Sequence, residues 1–103
     1  MNTTQIQSGS LLAGQHNSIG EQKGLVLFSR HGQKVLYKTF RTGETMPTHH
    51  SADEVLVTAL AGQLELELGG TTTLLEAGDY LIIPAGAPHA LRCLQAAKLL
   101  IFR

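Results

Sequence analysis

The run Gln63-Leu-Glu-Leu-Glu-Leu68 alternates apolar and acidic residues strictly, and Gly69-Gly70 behind it leads into a second β-favouring run over 71–75. Side chains of a strand point to opposite faces in turn, so Leu64, Leu66 and Leu68 take the core side while Glu65 and Glu67 take water. The two glutamates therefore form a solvated face rather than a paired acid and base. Two glycines between such runs make a hairpin loop whose twist matches that of the strands. From Gly24 onward, short β-rich runs broken by turn residues roughly every 8 to 12 positions continue to the last residue, which is how a β-sandwich or barrel reads. No stretch has a helical period.

The expected strands cover 25–28, 34–40, 55–60, 63–68, 71–75, 80–83, 89–94 and 98–102, with turns at His31-Gly32-Gln33, Ala61-Gly62 and Glu76-Ala-Gly78-Asp79 and a tight loop over 84–88. Roughly eight to ten strands without a helix predict an all-β, two-sheet jelly roll. Residues 1–18 are polar apart from Leu11, Leu12 and Ala13 and read as an N-terminal arm, leaving 19–103 as one barrel domain. In the second strand Val35 and Tyr37 face one way and Leu36 and Phe40 the other. A strand apolar on both faces suggests a subunit interface, so a homodimer is expected with Val35, Tyr37 or Phe40 in or near the contact.

Composition removes several function classes. Lys plus Arg and Asp plus Glu both number 8, and there is no Trp, so neither a basic field nor a stacking platform for nucleic acid exists. Cys93 is the single cysteine and cannot form an internal disulfide, which fits the cytoplasm. The first residues carry no positive charge and lead into no long apolar run, so neither a signal peptide nor a membrane span is expected.

Metal-ligand residue types cluster in one place, the stretch from Gly43 to Val55, which holds His49, His50, Asp53 and Glu54. A second stretch, Gly78 to His89, also runs turn, strand, turn and ends in a histidine. His16 and His31 read as loop residues, and Asp79 as a turn-capping side chain. Gly86 is expected at positive φ, because the chain must reverse between Pro84 and Pro88.

These two stretches resemble the two motifs of the cupin family, small jelly-roll barrels of the double-stranded β-helix type. The second motif is matched by Gly78, Pro84, Gly86 and His89, with Cys93 where the family has asparagine. In the first, Gly43, His49 and Gly62 match, while Ser51 takes the second histidine position and Val55 the glutamate position. The resemblance covers about residues 40–95 and implies a barrel in which three His and one Glu converge on iron, manganese, nickel or zinc. This chain keeps His49 and His89 of that set, and two imidazoles alone give weak, exchangeable metal binding.

Plain alternation sets His49, Ser51 and Val55 on one face and His50 and Glu54 on the other; a one-residue bulge after Pro47 would instead turn His50 and Glu54 inward to join His89. Cys93 reads as a small buried hydrophobe, or as a thiol with His89, four residues earlier, as its base. The cavity candidates are thus His49, Ser51, His89 and Cys93. The expected function is binding of a small polar molecule, or of a weakly held divalent metal, with no cofactor certain. A metal-dependent oxygenase or isomerase is the alternative, and an assembly partner with an empty barrel is a third reading.

Overall fold

Alternate positions of two long runs, Val55-Val57-Ala59 with Leu64-Leu66, and Leu91-Cys93 with Ala97-Leu99-Ile101, are buried while their neighbours reach the surface. Each fully buried Val, Leu or Ile is worth about 1.5 to 3 kcal/mol, so this alternation fixes which face of each strand turns inward. The computed structural model describes residues 6–12 and 25–103, and all its regular elements are strands. They are β1 (Leu25–Arg30), β2 (Gln33–Phe40), β3 (Thr45–His49), β4 (Val55–Leu68), β5 (Thr71–Glu76), β6 (Tyr80–Ile83) and β7 (His89–Phe102).

β4 and β7, 14 residues each, pair antiparallel along their whole length, from Leu56 opposite Phe102 to Leu68 opposite His89. The remaining strands attach to the two ends of this ribbon. β2 and β6 flank the end made of Val55–Ala59 and Ala97–Phe102, with β1 outside β2; β3 and β5 flank the other end. Inward side chains from both ends meet in one core that includes Leu36, Phe40, Val57, Leu75, Ile83 and Leu99. The chain is an all-β jelly-roll barrel.

The described residues form seven strands rather than eight to ten: residues 55–60 and 63–68 form one strand, as do 89–94 and 98–102, while Thr45–His49 adds a strand that was not expected. The ladder absorbs the Ala61-Gly62 position as a series of register shifts between Ala59 and Leu64 instead of ending there. Gly62 has φ +79°, and a Cβ on it would lie 2.1 Å from the Ala96 carbonyl oxygen. The two strands cross at backbone contact here, which only glycine permits.

β2 also departs from expectation. Leu36 and Phe40 are core residues, and Tyr37 on the opposite face is fully buried as well. Its hydroxyl donates to the Leu11 carbonyl at 2.9 Å, and Lys98 Nζ donates to the Leu12 carbonyl at 3.1 Å. The chain's own residues 11 and 12 therefore contact this face, so Phe40 and Tyr37 are not free for a subunit contact. His16, and the arm apart from residues 6–12, lie outside the described residues.

Elsewhere the outer surface carries one continuous apolar rung. Phe28 pairs with Val35, Val35 with Phe102, Phe102 with Leu56, and Leu56 with Ile82, so five strands each contribute one residue. Phe28 and Ile82 are more than half exposed. A cleft of about 790 Å³ along this rung is also lined by Arg30 beside Phe28 and by Asp53 and Glu54 ahead of Leu56.

Candidate functional site

Thr45 pairs with Arg92 and Met46 with Leu91, but the next pair is His49 with His89, so three steps along β3 match two along β7. One residue is therefore bulged out at Pro47-Thr48, where proline has no N–H to give the ladder. Met46 packs inward against the core. An unbulged strand would send Thr48 and His50 to that same face; the extra residue brings in His49 instead. A bulge near Pro47 does occur, and it selects His49 over His50. His49 thus lies directly across from His89, with ring centroids 4.3 Å apart and the planes tilted by 59°.

Both rings are held in the same way. Nδ1 of His49 lies 3.0 Å from the Pro47 carbonyl oxygen, and Nδ1 of His89 lies 3.0 Å from that of Ala87. A carbonyl oxygen only accepts, so each Nδ1 carries the proton it donates and Nε2 is the ring nitrogen left for a ligand. The loops bearing the rings are joined by the Gly86 N–H, which donates to the Ser51 carbonyl at 2.8 Å. Gly86 has φ +74°. His89 is buried, whereas His49 stands exposed at the rim.

The rings line a cavity of about 50 Å³ whose floor includes Val57, Ile83, Leu91 and Ile101. Ser51 and Val55 line it too, while His50 lines an adjoining mouth of about 390 Å³ and Glu54 lies along the outer cleft. The remaining polar groups of the inner cavity are Lys38 and Arg103. Among the described residues its titratable side chains are thus two imidazoles, an ammonium and a guanidinium, with no carboxylate. Among the described residues Asp53 is the one acidic residue lining the mouth, which Lys34 and Arg103 also border.

Lys38 shares the inward face of β2 with Leu36 and Phe40, and its Nζ reaches Met46 Sδ at 3.9 Å. Burial lowers its pKa below the ordinary lysine value, and the Arg103 charge lowers it further. The ion pair formed among the described residues is Arg92 with Glu65, across β4 and β7 on the outside, and no carboxylate of the described residues pairs with Lys38 or Arg103. Sequence reasoning passed over Lys38, although the signal was present: its position has the parity of two core residues.

Cys93 lies elsewhere. It is buried, its thiol donates to the Gln95 carbonyl at 3.0 Å, and it does not line the histidine cavity. Four strand residues span about 13 Å, so the His89 ring, though on the same face, is out of reach as a base. Burial, with the nearby Glu44 charge, pushes the thiol pKa up. The Cys93 N–H and carbonyl instead pair with Glu44 and Gly43, fixing the turn before β3.

Among the described residues no three of His, Cys, Asp and Glu come together as a metal would require. The donors at the cavity, two imidazoles beside two cations, do not fit the three or more side-chain ligands by which proteins hold first-row divalent ions.

The cupin domain family model matches residues 36–102. A stretch of 51 residues, 48% of the chain, is 45% identical to quercetin 2,3-dioxygenase of Bacillus subtilis, of which it covers 15%. Among solved structures, a cupin-2 domain protein of Shewanella frigidimarina superposes with a TM-score of 0.72 at 18% identity, covering 80% of this chain and 79% of that one. Salicylate 1,2-dioxygenase of Pseudaminobacter salicylatoxidans superposes with a TM-score of 0.65 at 23% identity, covering 68% of this chain and 20% of the enzyme. At these identities the structural likenesses speak for the fold alone.

Proposed function

We infer a binding role from the premise that this chain belongs to the cupin domain family, whose model spans residues 36–102. The barrel takes a small polar molecule, or a weakly held divalent metal, at His49 and His89. The observation that carries this reading is the imidazole pair itself: two rings 4.3 Å apart, each tied through Nδ1 to a backbone carbonyl. Rings fixed in this manner keep Nε2 available to a ligand at little further ordering cost. A cytoplasmic setting belongs to the same reading, since Cys93 is a free thiol.

The test is a titration of the purified protein with zinc, followed by the imidazole resonances of His49 and His89. Micromolar or weaker binding is expected, reduced at least about tenfold by His49→Ala or His89→Ala, since each removes one of two ligands. Glu54→Gln should leave it unchanged. A metal-dependent oxygenase is the second reading, favoured by the 45% identity to quercetin 2,3-dioxygenase over 51 residues. Stoichiometric metal in the purified protein, together with oxygen consumption, would put that reading first.

The apolar rung from Phe28 to Ile82 supports a homodimer, with a second copy of this chain as the occupant. Arg30 stands near one end of the rung and Asp53 and Glu54 near the other. A two-fold axis through its middle sets each basic end against the partner's acidic end, as a closed isologous contact requires.

A further inference from the structure

We propose that the barrel ligand is a small monocarboxylate with a short apolar body, its anionic head held by Lys38 and Arg103 beside the imidazole pair. This rests on the binding role assigned above to His49 and His89 and names the chemical class that the site selects.

The inner cavity carries Lys38, Arg103, His49 and His89, and no acidic side chain of the described residues lines it. Lys38 is drawn into the inward face between two core residues, Leu36 and Phe40, which the fold would bury more favourably with an apolar side chain there. An ammonium in that position is costly unless an anion meets it, and no carboxylate of the described residues does. The Arg103 charge lies close enough to act on Lys38, so two cations sharing one cavity face the same deficit. A ligand carboxylate removes it: two oxygens accept from the ammonium and from the guanidinium fork, and the Ser51 hydroxyl, which also lines the cavity, can complete the shell.

Size and polarity narrow the class. The inner cavity of about 50 Å³ holds only a few atoms, which suits a head group and a short chain, with the mouth of about 390 Å³ open above it. Val57, Ile83, Leu91 and Ile101 offer the ligand body an apolar floor. Inorganic phosphate has nothing to set against that floor, and an uncharged amide of the same shape leaves both cations unmet.

The experiment compares butyrate, butyramide and inorganic phosphate as probes of the full chain, each titrated while the His49 and His89 ring resonances are followed, with zinc as a separate arm. Butyrate is expected to shift both rings saturably and to bind at least about tenfold tighter than butyramide or phosphate, a difference of about 1.4 kcal/mol. Lys38→Met and Arg103→Gln should each weaken butyrate at least about tenfold, with folding checked by thermal melting and Lys38→Gln standing in if Lys38→Met does not fold. Equal affinity for butyrate and butyramide, tighter binding of phosphate, or an undiminished butyrate affinity in a folded Lys38 variant overturns the proposal. If zinc moves the rings and butyrate does not, the carboxylate assignment falls while the binding role stands. If no probe moves them, both fall.

Discussion

Cys93 and His89 share one face of β7, and burial gives them unlike roles. The imidazole opens onto a cavity, whereas the thiol is enclosed, donates to the Gln95 carbonyl, and has its pKa raised from 9.0 by burial first and by Glu44 second. A thiol pKa higher in the folded than in the unfolded chain contributes stability that is present below 9.0 and is lost as pH rises from there through the folded value. Lys38 acts oppositely: its lowered pKa makes stability rise with pH between the folded value and 10.5. The two contributions are separable by mutation. Between about pH 8 and 10, the melting temperature of the wild type is expected to fall more steeply than that of Cys93→Ala, as measured by calorimetry. Parallel pH profiles would mean that the thiol does not titrate differently on folding.

At the scale of elements, the β4–β7 ribbon pairs with β2, β3, β5 and β6, and its bend depends on the backbone contact at Gly62. Two glycines with similar φ separate conformational strain from steric conflict. Gly86, at φ +74°, has open space where a Cβ would go, so Gly86→Val should cost about 1 to 3 kcal/mol through backbone strain alone. Gly62, at φ +79°, would in addition drive a Cβ into the Ala96 carbonyl. Gly62→Ala is therefore expected to cost more than Gly86→Val despite the smaller side chain, above about 3 kcal/mol by denaturant unfolding. The reverse order would show that the bend does not depend on that contact.

For the molecule as a whole, the rung of Phe28, Val35, Phe102, Leu56 and Ile82 is the surface on which self-association is expected. Sedimentation at micromolar concentration should give a dimer for the wild type and a monomer for Ile82→Lys, which sets a charge into the rung without touching the core. Glu54→Arg should weaken the dimer, and adding Arg30→Glu should restore part of it, since the contact would pair each end of one copy with the opposite end of the other. A wild-type monomer removes the proposal.

The sequence by itself determined the fold class and much of the inward set. Leu64-Leu66-Leu68 and Val55-Val57-Ala59 alternate with the period of a strand, and Gly78, Pro84, Gly86 and His89 stand at motif spacing, all features written within a few residues of chain. It did not determine where strands continue through a glycine, because a turn and a bulged bend at Ala61-Gly62 read alike until β7 is seen lying against them. Nor did it decide between His49 and His50, since the bulge at Pro47-Thr48 exists only in the register of β3 against β7. The tertiary structure also decided that Tyr37 is met by Leu11 and that Lys38 and Arg103 share a cavity with the two histidines. These residues stand 11 to 65 positions apart, beyond the reach of any local pattern.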